Sequence, residues 1–470
     1  MNLPVKMLSL WLLLAALSIS SSALAEAPSP SDPTAALKNY VGKKDDSYGW
    51  VKRQTQKLGN VEVAELTLTS QTWRDIPWKH QLIIFRPSKA ESKQALILIS
   101  GGDWKDELAA PPTEETGKLP QEAQVLAGLV EKLKTPVAIL SHVPQQPIFD
   151  GMVEDEIISY TFEQYLKTGD PEWPLLFPMV KSAVKAMDAV QEFTAKEWNI
   201  PIESFTVTGA SKRGWTTWLT GAADPRATAI APIVIDTLNM GPQMKHQLES
   251  WGKYSEQIED YTRRGIQAQA GTERGIALNT MVDPYNYRDE LKQPKLIVNG
   301  TNDRYWTLDA LNLYWNDLEG EKYVLYVPNH GHGISDFGRL LGTIGAFHEK
   351  AAGRLKFPQL TWDNKEADGK LNLKVKSDLA PEQVVAWVAT SPTRDFREAE
   401  WKSYPTEWVD GEYRYSLDVP AEGYAAMIGE SVFKAPTGMK YYLSTNVGIV
   451  GTKDAPVVEA EKGEPVGAGK

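Results

Sequence analysis

Ser211 lies in the segment SFTVTGASKRGWTTWLTGAAD (204–224), between a run of small and β-branched residues and a stretch rich in Trp and Ala. The first run predicts a strand and the second predicts a helix, so Ser211 is expected at the sharp turn that joins them. Gly209 and Gly214 give the backbone room to fold back at that turn. Arg213 stands where the common G-x-S-x-G motif has its second glycine. The pattern predicts a serine nucleophile, and a serine that caps the helix is the alternative.

A serine hydroxyl becomes a good nucleophile only beside a general base, which an acid in turn orients. Two later segments offer these partners. The predicted strand PKLIVNG (294–300) is followed by Asp303, and the predicted strand KYVLYVP (322–328) is followed by His330 and His332. Ser, acid and His occur in the same chain order in α/β-hydrolases. The sequence therefore predicts a catalytic triad at the carboxyl edge of a sheet.

The base and the acid of this triad each have an alternative. His332 is favoured as the base because flanking glycines let the loop approach Ser211, and His330 is the other candidate. Asp303 is favoured as the acid, and Asp236, at the end of another predicted strand, is the alternative. No carboxylate lies near the two histidines at a helix-based ligand spacing, so we expect neither a metal nor a cofactor.

Transition-state charge on the substrate oxygen requires hydrogen-bond donors close to the serine. The backbone amide of Lys212 is one candidate, and Gly102 or Asp103, after the predicted strand QALILISGG (94–102), is the second. Three side chains are candidates for substrate binding: Trp104, Arg213 and Trp306. The adjacent cations Lys212 and Arg213 favour an anionic acyl group, or they pair with nearby carboxylates instead. The tryptophans form a platform for a sugar or peptide, or they belong to the core.

Strands alternate with helices across the first three quarters of the chain, which predicts a mostly parallel sheet flanked by helices on both sides. The helices after the first parallel strand are predicted at 120–134, 177–198, 212–223, 306–318 and 342–353. The helical excursion 241–279 falls where hydrolases insert a lid, and a plain connecting helix pair is the alternative. After Lys356, short alternating segments without helices predict a small antiparallel β-sandwich-like domain.

The N-terminus has the pattern of a secretory signal: the cation Lys6, an apolar stretch, and ALA before Glu26. We expect cleavage after Ala25, a secreted or periplasmic protein, and no stable membrane anchor, because the apolar stretch is too short to span a bilayer. The expected organisation is a signal peptide 1–25, a flexible lead 26–39, an α/β-hydrolase domain 40–356, a β-sandwich-like domain 357–452 and a disordered tail 453–470.

Composition excludes several classes of function. The 470 residues include 42% hydrophobic and 24% charged residues, which is typical of a globular protein. The formal net charge of −11 argues against nucleic acid as a partner, because phosphate binding requires a positive surface. The chain contains no cysteine, so a Cys nucleophile and a thiolate metal site are excluded.

Several long motifs resemble the PhoPQ-activated pathogenicity-related protein family over roughly residues 40 to 450. They are SQTW, ISGGDW, GASKRGWTTWLTGAADPRATAIAPIVIDTLNM, NGTNDRYWTLDALNLYW, VPNHGHG and WVATSPTRDFREAEW. The resemblance implies an α/β-hydrolase relative exported by bacteria, with Ser211, Asp303 and His332 at the nucleophile, acid and base positions. The S-x-x-G spacing is also similar to that of glucuronoyl esterases, where a cation follows the serine and helps to bind the oxyanion; here that residue is Lys212.

The expected function is therefore a secreted serine hydrolase that cleaves a small-molecule, glycan or peptide ester or amide. A non-catalytic secreted binding or signalling protein on a hydrolase scaffold is the alternative. Another possibility is glycan binding by the C-terminal region through Trp387, Trp401 or Trp408.

Overall fold

The structure, a computed structural model, describes residues 32–113, 117–118 and 122–451. The predicted signal peptide, its cleavage site, residues 26–31 of the lead and the tail 453–470 lie outside the described residues. Within the described ranges, no helix is both long and apolar enough to cross a membrane.

A nine-stranded sheet forms the centre of the fold, in the order β1-β2-β3-β5-β4-β6-β7-β8-β9. Its strands are β1 Gly49–Leu58, β2 Val61–Trp73, β3 Ile76–Arg86, β4 Gln94–Ile99, β5 Val137–Leu140, β6 Ser204–Ala210, β7 Ala227–Ile233, β8 Lys295–Gly300 and β9 Lys322–Val327. The first three strands are antiparallel, and β3 pairs antiparallel with β5. The other pairings are parallel, and the short apolar runs of these strands are buried, as expected for a sheet covered on both faces.

Helices cover both faces of this sheet, as the alternating pattern predicts. They are α1 Ala35–Gly42, α2 Glu122–Leu133, α3 Glu154–Thr168, α4 Leu176–Trp198, α5 Lys212–Ala223, α6 Met240–Trp251, α7 Glu259–Arg263, α8 Glu273–Val282 and α9 Phe337–Ala351. The long amphipathic helix α4 packs with α3 and α5 in one hydrophobic cluster. Helices α2 and α9 belong to a second cluster on the opposite face. The parallel strands are therefore held between two apolar layers, with their carboxyl ends free to carry loops.

The C-terminal region forms two antiparallel sheets, which confirms the predicted sandwich-like arrangement. One sheet has the order β10-β11-β15-β14, and the other has the order β13-β12-β16-β17 with β18 also paired to β16. The strands are β10 Leu360–Ala367, β11 Lys370–Ser377, β12 Gln383–Ser391, β13 Lys402–Pro405, β14 Glu407–Val409, β15 Glu412–Asp418, β16 Tyr424–Lys434, β17 Lys440–Ser444 and β18 Gly448–Gly451. Alternate apolar residues of the two sheets meet in a third cluster. Strand β17 also packs on α9 and β9, so this region shares its core with the first.

Two predicted segments differ from the structure. The helix predicted at 306–318 is instead a pair of 3₁₀ turns, Ala310–Leu313 and Trp315–Asp317. The carbonyls of Ala310 and Leu313 accept hydrogen bonds from the side chains of Gln243 and Asn239, so contacts with α6 replace the bonds of a continuous helix. The prediction of a flexible lead is wrong for residues 35–39, because α1 begins at Ala35 and buries Leu37 and Tyr40.

Candidate active site

The backbone at Ser211 makes the sharp turn that its sequence predicts. Ser211 follows β6 and precedes α5 directly, with φ 59° and ψ −128°. Side-chain-bearing residues seldom adopt a positive φ, so neighbouring contacts must hold this conformation. The Ser211 amide donates to the carbonyl of Ile233 on β7 at 2.8 Å, and the Trp215 amide donates to the Ser211 carbonyl at 3.0 Å. The turn presents the hydroxyl at the carboxyl edge of the sheet.

The two glycines around this turn are required by close backbone approach. A Cβ atom on Gly209 would lie 2.7 Å from the carbonyl oxygen of Arg213. A Cβ atom on Gly214 would lie 2.6 Å from Cγ2 of Ile235 and 2.9 Å from the carbonyl oxygen of Ile233. Glycine at both positions lets α5 begin directly against β6 and β7. Gly214 stands one position later than the second glycine of G-x-S-x-G, and it therefore serves the same turn.

A continuous chain of hydrogen bonds joins Ser211, His332 and Asp303. The Ser211 Oγ lies 2.8 Å from Nε2 of His332, and Nδ1 of His332 lies 2.9 Å from Oδ2 of Asp303. The other oxygen of Asp303 accepts the amide of Tyr305 at 2.8 Å. Asp303 follows β8 and His332 follows β9, so two adjacent parallel strands bring them to the edge that carries Ser211. This arrangement can pass the serine proton to an imidazole that a carboxylate holds in place.

The alternative base and acid lie in other hydrogen-bond networks. The imidazole of His330 is bonded to the carbonyl of Pro328 at 2.9 Å and to the hydroxyl of Ser335 at 3.1 Å. Asp236 is buried, and it accepts hydrogen bonds from Tyr314 at 2.5 Å and Asn299 at 2.9 Å. Burial, with a contribution from neighbouring acidic groups, raises the pKa of Asp236 to about 7. Neither residue is brought to the serine.

The cations after the serine are buried and paired with carboxylates, which is the second of the two alternatives for them. Arg213 holds Glu154 through two guanidinium nitrogens, at 2.6 and 2.8 Å, and its Nε donates to a main-chain carbonyl. The ammonium of Lys212 lies 2.9 Å from Glu154 and 3.1 Å from Asp155. Burial raises the pKa of Glu154, but the hydrogen bonds from Arg213 and the charge of Lys212 outweigh it and bring the pKa to about 2. Arg213 is therefore a buried ion-pair partner, and it does not line the cavity beside Ser211.

The other predicted residues are divided between the cavity and its surroundings. Lys212 is the first residue of α5, where helix amides have no intrahelical acceptor, and it lines the cavity beside Ser211. Gly102, with φ 109°, lies in the loop after β4 and faces the imidazole of His142. Trp104 packs edge-on against His142, with ring centroids 5.7 Å apart, instead of lining the cavity. Trp306 is buried and does line it.

A cavity of about 500 Å³ opens beside the serine and the histidine. Its walls are mainly apolar and include Phe162, Leu166, Trp215, Ile235, Met240, Met244, Leu248, Ile258, Tyr261, Ile266, Ile276, Leu278, Val282, Tyr305 and Trp306. Helices α6 and α8 and the turns between them supply much of this surface. The excursion predicted at 241–279 therefore covers the site, as either a lid or a fixed cap would.

Sequence reasoning missed three residues that shape this site: Glu154, Asp155 and Tyr305. The acidic run EDE at 154–156 is a pattern typical of a helix start, and nothing local in it indicates a partner for Lys212 or Arg213. Tyr305 was part of a motif, but nothing in the motif indicated that its ring would lie 4.1 Å from the His332 ring. In the part of the chain that the structure describes, no group of three or more His, Asp or Glu side chains is arranged to hold a metal ion.

The strand order and the loops that carry Ser211, Asp303 and His332 define an α/β-hydrolase-type scaffold. The chain belongs to the PhoPQ-activated pathogenicity-related protein family, whose model matches residues 37–397; this confirms the resemblance seen in the sequence motifs. It is 34% identical over 384 residues to autocrine proliferation repressor protein A of Dictyostelium discoideum, covering 77% of this chain and 76% of that protein.

Solved structures similar to this one include two esterases. The acetyl xylan esterase from Paenibacillus sp. R4 aligns with a TM-score of 0.47 and 15% identity, over 67% of this chain and 92% of that chain. The glucuronoyl esterase from Solibacter usitatus aligns with a TM-score of 0.41 and 13% identity, over 68% of this chain and 91% of that chain.

Proposed function

We propose that this protein is a serine hydrolase that cleaves an ester or amide, with Ser211 as nucleophile, His332 as general base and acid, and Asp303 as the orienting carboxylate. The observation that carries the proposal is the unbroken hydrogen-bond chain from the hydroxyl through the imidazole to the carboxylate, at 2.8 and 2.9 Å. The positive φ of Ser211 and the cavity beside its hydroxyl also support it.

The reaction proceeds in two stages. Ser211 Oγ attacks the substrate carbonyl carbon while its proton passes to Nε2 of His332. The backbone amide of Lys212 and an amide of the Gly102 loop donate to the oxyanion that forms. Collapse of this intermediate expels the alcohol or amine, which takes the proton from His332 and leaves an acyl group on Ser211. Water then attacks the acyl group by the same route and restores the serine.

Export also belongs to this proposal. The family and the N-terminal cation, apolar stretch and ALA motif support a secreted or periplasmic location after cleavage near Ala25. Mass spectrometry of the N-terminus of protein recovered from the periplasm or medium is expected to find a chain that begins at Glu26. An intact N-terminus on recovered exported protein would contradict cleavage there.

The second candidate is a non-catalytic signalling or binding protein on the same scaffold. The name of the Dictyostelium relative, a proliferation repressor, favours it, because that name describes an effect on growth and no reaction. Against it stands the hydrogen-bonded set of Ser211, His332 and Asp303, which a binding protein has no need to keep in this geometry.

A fluorophosphonate probe distinguishes the two, because it labels a serine only when a base activates it. We expect the wild-type protein to be labelled and Ser211→Ala to be unlabelled. We expect His332→Ala to react about a hundredfold more slowly or worse, since a positioned base contributes at least that much. His330→Ala is the matched control from the same loop and is expected to keep wild-type labelling. Unlabelled wild-type protein that is folded would favour the signalling candidate.

A further inference from the structure

The geometry points to a substrate class: an ester that carries an extended apolar chain, which lies in the cavity while its carbonyl reaches Ser211. This inference rests on the proposed function and names what that function acts on. The cavity volume of about 500 Å³ is within the usual range for sites that enclose a small molecule. An acetyl group fills only a small part of such a space, so the cavity is built for something larger.

The cavity wall is apolar on several elements at once. Helix α3 contributes Phe162 and Leu166, and helix α6 contributes Met240 and Met244. Leu278 on α8 closes the wall from another side and is buried. Methionine side chains adapt to flexible apolar ligands, because they are unbranched and polarizable. A chain of methylene groups gains free energy in proportion to the apolar area that it buries here.

The charges in the cavity speak against an anionic acyl group. Of the described residues that line it, two are cations, Lys212 and Lys245. Lys212 is buried and shared between Glu154 and Asp155, so its charge is already balanced. Lys245 is exposed and lies 3.4 Å from Glu249. An incoming carboxylate would meet Asp155, which also lines the cavity, and would be repelled by it.

Two exposed apolar side chains extend the apolar surface to solvent. Leu248 on α6 is 38% exposed and Ile276 on α8 is 57% exposed, and both also line the cavity. A single exposed aliphatic residue is ordinary on a protein surface. Here two of them lie on different helices of the covering segment and both also line the cavity, so the apolar wall continues to the surface, where a chain could enter.

The first test varies chain length on each side of the ester. One series consists of p-nitrophenyl acetate, butyrate, octanoate and decanoate, and the other of ethyl, butyl, octyl and decyl acetate followed by proton release. We expect kcat/KM to rise about fourfold per added methylene in at least one series until the cavity is full, since each buried methylene contributes about 0.8 kcal/mol. The series that rises identifies whether the acyl or the alcohol group occupies the cavity. A decline beyond butyrate and butyl acetate in both series would overturn the inference.

The second test places a charge on the rim. The measured quantity is the chain-length preference: kcat/KM for the decyl or decanoyl ester divided by kcat/KM for the shortest ester of the same series. Ile276→Glu is expected to lower this preference by about tenfold or more, because the chain would pass a carboxylate. Val125→Glu is the matched control, since Val125 is also a helical, exposed residue, 62% accessible, and lies on α2 away from the cavity. Thermal unfolding of both variants checks that they fold. An unchanged ratio in folded Ile276→Glu would contradict the inference.

Fluorophosphonate labelling of Ser211 separates failure of the inference from failure of the proposed function. Labelled protein that hydrolyses the shortest esters but gains nothing from longer chains is a serine hydrolase for a different substrate. Folded protein that is neither labelled nor active on any ester contradicts both proposals.

Discussion

Tyr305 contacts both partners of the candidate nucleophile. Its amide donates to Asp303 at 2.8 Å, and its ring lies against the His332 ring at a centroid distance of 4.1 Å and an interplanar angle of 32°. Its hydroxyl is 3.5 Å from Asp155, which also bonds Lys212. Tyr305 therefore links the acid through its backbone, and the base and the buried charges beside the serine through its side chain.

Asp236 makes stability depend on pH in the opposite direction from an ordinary surface aspartate. Its pKa rises from 3.8 to about 7 on folding, so the folded state binds a proton that the unfolded state releases. The contribution of this proton to the free energy of unfolding is fully present below pH 4 and is lost as the pH rises toward 7. The loss is up to about 4 kcal/mol, because the pKa differs by about three units between the two states and each unit corresponds to about 1.36 kcal/mol. We expect Asp236→Asn to remove this loss. In urea titrations, the free energy of unfolding of the variant is therefore expected to rise relative to that of the wild type as the pH increases from 4 to 7.

Asp309 is a matched control, because its side chain is also largely shielded, at 14% exposure, but its pKa has the opposite shift. Burial raises its pKa, but the hydrogen bond from His246 and the charge of Arg394 outweigh this and hold the pKa below 3.8. Its contribution to stability is present above pH 4 and is lost on acidification. Asp309→Asn is therefore expected to be destabilised most at neutral pH. Equal pH dependence of the two variants would contradict both assignments.

The residues that sequence alone identified are those attached to recognisable strand ends. Ser211, Asp303 and His332 each follow a short apolar run, and parallel strands bring such ends to one edge. The partners of Lys212 were not identified, because Glu154 and Asp155 lie more than fifty residues away and begin a helix with little amphipathic pattern. Contacts of that kind depend on packing that no local pattern encodes.

At the scale of elements, the buried β6–α5 unit matches its prediction in both bounds. The unit has a β-branched strand and an amphipathic helix separated by a glycine-flanked turn, so each local preference agrees with the tertiary fold. Strand β1 was missed, since GWVKRQTQKL is polar and mostly half-exposed at the edge of the sheet. The segment 310–317 was predicted as a helix because its periodicity is helical, but two of its carbonyls accept hydrogen bonds from the side chains of Asn239, just before α6, and Gln243, on α6.

The packing at the β6–α5 turn predicts a large effect from one methyl group. Gly209→Ala would place Cβ 2.7 Å from the carbonyl oxygen of Arg213, inside the first turn of α5. Because backbone must move to relieve this contact, we expect a loss of about 1–3 kcal/mol in the free energy of unfolding. We also expect slower fluorophosphonate labelling, since the same movement displaces Ser211. Thermal unfolding and labelling rates measure the two effects.

Gly128→Ala provides the comparison for that variant. Gly128 lies within α2 with open space around the position of a Cβ atom, so alanine there is expected to stabilise the protein by about 0.5–1 kcal/mol without a change in labelling. If Gly209→Ala were as stable and as reactive as Gly128→Ala, the close approach of β6 and α5 would not restrict the turn.

At the scale of the whole molecule, the C-terminal region reaches the loops of the acid and the base. The side-chain amide of Asn302, next to Asp303, lies 2.8 to 3.3 Å from the carbonyls of Phe396, Arg397 and Ala399. Asn329, before His330, exchanges hydrogen bonds of 2.7 and 3.0 Å with the backbone of Trp401. The segment between β12 and β13 thus supports both loops from outside the main sheet.

This support also bears on the glycan-binding possibility for the C-terminal region. Trp401 is buried at the junction of the two regions, and Trp387 donates a hydrogen bond to Glu430. Trp408 is 62% exposed and packs against Tyr413, so it is the most accessible of the three to a ligand. At least one of these tryptophans therefore contributes to packing between the regions.

A last prediction concerns how far this support affects catalysis. Asn302 is next to Asp303, and Asn302→Ala removes its side-chain donor to three carbonyls of the C-terminal region. The hydrogen bond from the Asn302 amide to the carbonyl of His330 remains. Asn312→Ala is the control. It removes the side-chain hydrogen bonds that Asn312 donates to the carbonyl of Val447 and accepts from Asn446, away from Asp303 and His332. Both variants lose hydrogen bonds worth about 0.5–1.5 kcal/mol each, so similar losses in thermal stability are expected. We expect only Asn302→Ala to lower the labelling rate of Ser211, by about tenfold or more, because a small displacement of an orienting carboxylate has a large kinetic cost. Equal labelling rates in the two variants would mean that the C-terminal region stabilises the fold without positioning the acid.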